Sequence, residues 1–177
     1  MKKLLILPGN SKLNEIWGEA CARFFHKDFA YIYLMRYEHW ITEGPINIPL
    51  EIEKIANTVK DGEADDEWYV CAKSIGSIVT LLATKEKAIE PKKCIFFGMP
   101  LDIADEEAFN DDWSPLSDFS VPMLVFHNDE DPVASNEFTK TKLEEMGQNV
   151  KFIQLSGTDH TYRDFSSYQM EIDKFLK

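Results

Sequence analysis

Cysteine, basic charge and long apolar runs are all scarce in this chain, and each shortage removes a class of function. The cysteines are Cys21, Cys71 and Cys94 in 177 residues. They are odd in number and lack the close pairing of a zinc site, so neither a disulfide scaffold nor a bound metal is expected. Cys71 and Cys94 fall in apolar runs, where a thiol acts as a small hydrophobe. No stretch reaches the roughly 18 consecutive apolar residues that a membrane helix needs. Lysine and arginine total 19 against 31 acidic residues, for a net charge of −12. Such a charge repels nucleic acid and anionic membranes, so neither is expected as a partner, and otherwise it favours solubility. Internal repeats, low-complexity tracts and Gly/Ser linkers are also missing, which predicts one domain over residues 1–177. The apolar start Met1–Leu7 is too short for a signal-peptide core and runs straight into Pro8-Gly9. It reads as a first strand, and a cytoplasmic protein is expected.

What is present is a regular alternation of strand and helix patterns. Six apolar runs read as strands: Leu4–Leu7, Ala30–Leu34, Trp68–Ala72, Cys94–Phe97, Met123–Phe126 and Val150–Leu155. Near-continuous apolar strands belong to a parallel sheet covered on both faces. Helical spacing marks Asn14–His26, Leu50–Val59, Ile75–Lys85, Glu137–Met146 and Phe165–Leu176. The predicted fold is therefore α/β: a three-layer sandwich around a six-stranded, mostly parallel sheet of order 2-1-3-4-5-6. Two connections exceed what a crossover needs, residues 36–49 and 98–121. The second is a short, acidic, lid-like insertion carrying Asp102, Asp105, Glu106, Glu107, Asp111, Asp112 and Asp118 beside Phe109 and Trp113. Both leave the carboxyl ends of strands, the edge where α/β proteins bind ligands.

Three stretches at that edge carry chemistry. Ala72-Lys73-Ser74-Ile75-Gly76 puts a serine between a strand and a helix, with small residues two before and two after it. Small flanks permit the tight turn that lifts a nucleophile above the sheet, and the helix aims its N–H groups there. The ordinary alternative for Ser74 is a helix N-cap; Ser77 lies one turn inside the helix and is the weaker nucleophile. The backbone N–H of Ile75 is one natural oxyanion donor, and the N–H of Asn10, in Pro8-Gly9-Asn10-Ser11, is the expected second. Asn10 or Ser11 capping the next helix is the competing role.

A base and an acid complete the pattern. Of four histidines, His26 ends a helix, His39 lies in a loop near the crevice and His127 closes a strand in a hydrogen-bonding role. His160, in the loop after the last strand, is the expected base. Asp131, ahead of Pro132, is the expected acid that fixes the histidine's tautomer. Asp129 is read as holding its own turn through an Asx-type bond. The rival reading, a calcium loop, lacks the glycine and distal glutamate of an EF-hand.

Ser74, Asp131 and His160 stand in the chain order of α/β-hydrolases, and the chain resembles that superfamily over nearly its whole length. Pro122–Val133 is similar to the acid-bearing segment of small carboxylesterases, acyl-protein thioesterases and dienelactone-hydrolase relatives, and the Thr158-Asp159-His160 loop resembles their histidine loop. The resemblance implies Ser74 as nucleophile, Asp131 as acid and His160 as base. Ala72 departs from the usual glycine, Asn128 stands where glycine is common, and Pro8-Gly9 resembles the compact serine hydrolases related to retinoblastoma-binding protein. The chain is short for the superfamily, which implies that its first antiparallel strands and any large cap are missing.

The expected activity is hydrolysis of a small-molecule carboxylic ester or thioester through an acyl-enzyme, with no cofactor. The alternative from another class is a non-catalytic binding protein that keeps the hydrolase fold, for which Lys73 and the acidic insertion leave room. A flavodoxin-like domain finds no phosphate cradle in the first loop. Trp40 and Trp113, one on each long connection, are the candidates to wall an apolar acyl pocket, with packing of the loops onto the core as the alternative.

Overall fold

Side-chain alternation along the strands builds two cores, one on each face of a sheet. A computed structural model of the chain describes residues 1–63, 65–104 and 108–177. Its strands are β1 (Lys2–Leu7), β2 (Tyr31–Leu34), β3 (Glu67–Lys73), β4 (Cys94–Phe97), β5 (Met123–Asn128) and β6 (Val150–Leu155). They form one sheet of order β2-β1-β3-β4-β5-β6, every neighbouring pair parallel, as the sequence predicts. Leu5, Leu7, Val70, Ala72, Cys94, Phe96, Met123 and Val125 face one core. Their neighbours Leu4, Ile6, Tyr69, Cys71, Ile95, Phe97, Leu124 and Phe126 face the other. Because successive side chains alternate across a strand, a sheet apolar on both faces must be covered twice.

Helices α1 (Asn14–Phe25) and α8 (Phe165–Leu176) cover one face, through Trp17, Cys21, Phe25, Phe165, Tyr168 and Ile172. The other face is covered by α3 (Ile48–Lys60), α4 (Ile75–Lys85) and α7 (Asn136–Glu145), whose buried members include Ile52, Ile55, Ile78, Val79, Leu81 and Leu143. All three cysteines are buried and free.

The two long connections contain short helices that periodicity cannot register. These are α2 (His39–Thr42) in the first, and α5 (Leu101–Ala104) and α6 (Ser114–Ser117) in the second. Asp105, Glu106 and Glu107, part of the expected insertion, lie outside the described residues. Helix α3 begins two residues before its expected start. The Asn47 side chain caps it by accepting from the Leu50 N–H at 3.2 Å, and Pro49 is tolerated in a first turn. Strand β5 runs two residues further than expected because His127 and Asn128 pair with Gln154 and Leu155 of β6. Among the described residues no helix is long and apolar enough to cross a membrane.

The position of a site follows from this order. Helix α1 leaves β1 on one face and α4 leaves β3 on the other, although β1 and β3 are hydrogen-bonded neighbours. A crevice opens where the two crossovers part, at the carboxyl ends of both strands.

Candidate active site

Ser74 stands between β3 and α4 with φ +53° and ψ −127°. Few residues other than glycine adopt a positive φ, so this backbone is strained. Its N–H donates to Phe97 O at 2.9 Å, and its carbonyl accepts from the Ser77 N–H at 2.9 Å and the Ser77 hydroxyl at 2.7 Å. Ser77 is thereby committed to holding the turn. Ser74 occupies the N-cap position of α4, yet its side chain makes no cap hydrogen bond. Gly76 allows the close approach this requires: a Cβ there would lie 2.2 Å from Leu7 O. Ala72, two residues before Ser74, is fully buried between Leu7 of β1 and Phe96 of β4. Its methyl group fits the layer without disturbing the turn.

The loops after β5 and β6 bring Asp131 and His160 together. His160 Nδ1 lies 2.9 Å from Oδ1 and 2.7 Å from Oδ2 of Asp131. A carboxylate only accepts, so Nδ1 carries the proton and Nε2 presents a lone pair. Nε2 is buried and has no hydrogen-bond partner among the described residues. Asp131 is itself fixed: Oδ1 accepts from the N–H groups of Val133 and Ala134, and Oδ2 from the Tyr162 hydroxyl at 2.6 Å. Burial alone would raise its pKa, but the bonds from His160, Tyr162 and Val133 outweigh that and lower it to about 2.

Two further residues hold this pair, and neither was expected. Tyr162 is buried, has φ +49°, and bridges the loops by accepting from the Asn128 N–H at 3.0 Å while donating to Asp131. Gly98, just past β4 at φ +56°, makes room for the His160 ring: a Cβ there would lie 2.8 Å from Cε1 of His160. Because Phe97, the preceding residue, takes the Ser74 amide, His160 rests one residue from the group that anchors the Ser74 backbone. A glycine directly after an apolar strand was the visible signal for Gly98. For Tyr162 there was none. Asp129 departs from its expected Asx role: its Oδ1 accepts from the Gly157 N–H at 2.9 Å and so ties the Asp131 loop to the His160 loop.

The first loop is gripped by its carbonyls. Tyr37 donates to Pro8 O at 2.8 Å, His39 Nε2 and Trp40 Nε1 both reach Asn10 O at 2.7 Å, and Asn14 Nδ2 donates to Ser11 O at 3.0 Å. The N–H groups of Asn10 and Ile75, the two expected oxyanion donors, have no acceptor among the described residues. Lys73, the residue before Ser74, is buried and donates from Nζ to Asn14 Oδ1 at 2.7 Å, linking the serine turn to the same loop. Burial lowers its pKa to about 8, against the opposing pull of Asp131.

Of the two roles the sequence leaves open for the tryptophans, the contacts are those of packing. Trp40 is buried, packs edge-on against Tyr37 and spends its indole N–H on Asn10. Trp113 packs on Phe109 and lies under the Lys142 ammonium. Neither lines the apolar cavity that lies beside Ile75. Their rings meet core and loop partners instead, which is the packing role. His127 is fully buried, with its ring nitrogens near Asn128 O and Met99 O, and His26 is exposed near Arg23 O.

A family model described as an alpha/beta hydrolase domain matches residues 11–177. No curated protein matches the sequence. Among solved structures, an uncharacterized protein from Bacillus cereus superposes with a TM-score of 0.76 at 20% identity, over 99% of this chain and 59% of its own. A serine hydrolase without a lid from Xanthomonas campestris gives 0.75 at 16% identity, over 99% and 80%. An esterase from Pyrococcus furiosus gives 0.73 at 15% identity, also over 99% and 80%. At such identities the likeness is one of fold.

Proposed function

The chain belongs to the alpha/beta hydrolase domain family, and on that premise we propose that it is a serine hydrolase of carboxylic esters or thioesters, built as a single catalytic domain. Strain at Ser74 carries this reading. A serine at φ +53° that heads a helix yet caps nothing is held against its backbone preference. Strain of this kind costs about 1–3 kcal/mol and survives where the surroundings enforce it, which is common at functional sites.

In the proposed reaction Ser74 Oγ attacks the substrate carbonyl as its proton passes to His160 Nε2. Asp131 keeps the imidazole in the tautomer that can accept this proton and stabilises the imidazolium that results. Negative charge on the former carbonyl oxygen is met by the N–H groups of Ile75 and Asn10; one such donor is worth about 10²–10³ in rate. Collapse expels the alcohol or thiol with the proton from His160, leaving the acyl group on Ser74. Water, deprotonated by His160, then attacks the acyl carbon, and the acid leaves as that proton passes from His160 to Ser74 Oγ. That the Xanthomonas and Pyrococcus proteins of like fold are called a serine hydrolase and an esterase supports the reading.

A fluorophosphonate probe followed by peptide mass spectrometry tests it. Covalent labelling of Ser74 is expected in the native chain and none in Ser74→Gly, whose backbone suits the positive φ. Folded wild-type protein that takes up no label overturns the proposal.

A further inference from the structure

The cavity beside Ile75 has a volume of about 100 Å³. Its walls are Ile46 and Ile48 at the entrance to α3, Ile75 and Ile78 of α4, and Ile103 and Ala104 of α5. Pro100 and Ala108 complete the lining, and among the described residues no lining side chain carries a charge, a hydroxyl or an amide. Ile75 follows Ser74 directly, and Pro100 stands two residues past Gly98, against which His160 rests. The cavity wall thus includes the residue after Ser74 and the residue two past the glycine on which His160 rests. Ile46, Ile48 and Ala108 also line an open groove of about 580 Å³, so these three residues partition the small cavity from the large groove.

We propose that this cavity is the acyl pocket and that the substrates are esters or thioesters of short, unsubstituted aliphatic acids of about four carbons. The inference rests on the serine-hydrolase reading and adds the substrate class to it. A water-sized group occupies about 30 Å³, so the cavity holds three or four carbon groups beyond the carbonyl. Isoleucine is branched at Cβ and stiff at χ1, so these walls do not swing aside for a longer chain as methionine would. A hydroxyl or carboxylate on the acyl chain would find no hydrogen-bond partner on the described lining, which disfavours hydroxy acids and diacids. Each methylene that enters raises kcat/KM about fourfold until the partition is reached.

The experiment is kcat/KM for p-nitrophenyl acetate, butyrate, hexanoate and octanoate, read together with fluorophosphonate labelling of Ser74. Wild-type protein is expected to peak at butyrate, about 15-fold above acetate, and to fall at least tenfold by octanoate. Ile48→Ala opens the partition into the groove and moves the peak to hexanoate or longer. Ile48→Phe fills the cavity and moves it to acetate. A wild-type profile that climbs steadily to octanoate, a peak that neither substitution moves, or labelling of Ser74 without turnover of any ester overturns the acyl pocket alone. Absence of both labelling and turnover overturns this inference together with the serine-hydrolase reading.

Discussion

Lys73 places an ammonium group inside the protein, next to the proposed nucleophile, where it donates to Asn14. Burial takes it out of water faster than nearby Asp131 and Asp159 compensate, and its pKa falls from an ordinary 10.5 to about 8. Between those two values the unfolded chain binds the proton and the folded chain does not, so stability rises with pH across this window. Conversely, the contribution is lost as pH falls through about 8. Relative to Lys73→Met, wild-type protein should gain roughly 3 kcal/mol of unfolding free energy between pH 7.5 and 10.5. Urea unfolding of both proteins at the two pH values measures it, since all other groups titrate alike. Equal slopes would show that Nζ is not desolvated. The same comparison reaches function, because Lys73 connects through Asn14 to the carbonyl of Ser11.

Among the elements, α2 does more than its four residues suggest. It delivers two donors, His39 Nε2 and Trp40 Nε1, to one acceptor, the carbonyl of Asn10. A trans peptide is planar, so pinning that oxygen also sets the direction of the loop beside Ser74. In the proposed mechanism this loop meets charge that develops only in the transition state, and loosening it should lower kcat rather than raise KM. The double variant His39→Phe, Trp40→Phe keeps two rings against Tyr37 but removes both donors. It should lose about 10–100-fold in kcat on p-nitrophenyl butyrate, with KM within about threefold. Steady-state kinetics decides: a raised KM at unchanged kcat would make α2 a wall of the substrate site instead. So short a helix leaves no periodicity to detect, which is why Trp40 reads from sequence as a pocket candidate and in the structure as a support.

Over the whole molecule the net charge of −12 acts at long range. An ester whose alcohol part ends in a carboxylate should show a higher KM than its uncharged isostere at low ionic strength. The ratio should shrink toward one near 0.5 M salt, where the screening length falls to about 4 Å. Kinetics on the matched pair at two salt concentrations measure it, and a ratio indifferent to salt would confine the effect to local contacts. The sequence by itself determined the layer order, the six strands and the chain order Ser74, Asp131, His160, because period-2 and period-3.6 patterns and turn residues are local and need no partner to be read. It also pointed to the crevice, since strand order and crossover direction place it at the ends of β1 and β3. Only the tertiary structure decided what holds the site. Tyr162 on Asp131, Gly98 under His160, Lys73 on Asn14 and the α2 clamp on Asn10 each join residues distant in the chain. The same holds for the isoleucine cavity, assembled from three separate elements that no periodicity connects. Contacts of this kind depend on loop closure and side-chain packing, which leave no period in the sequence.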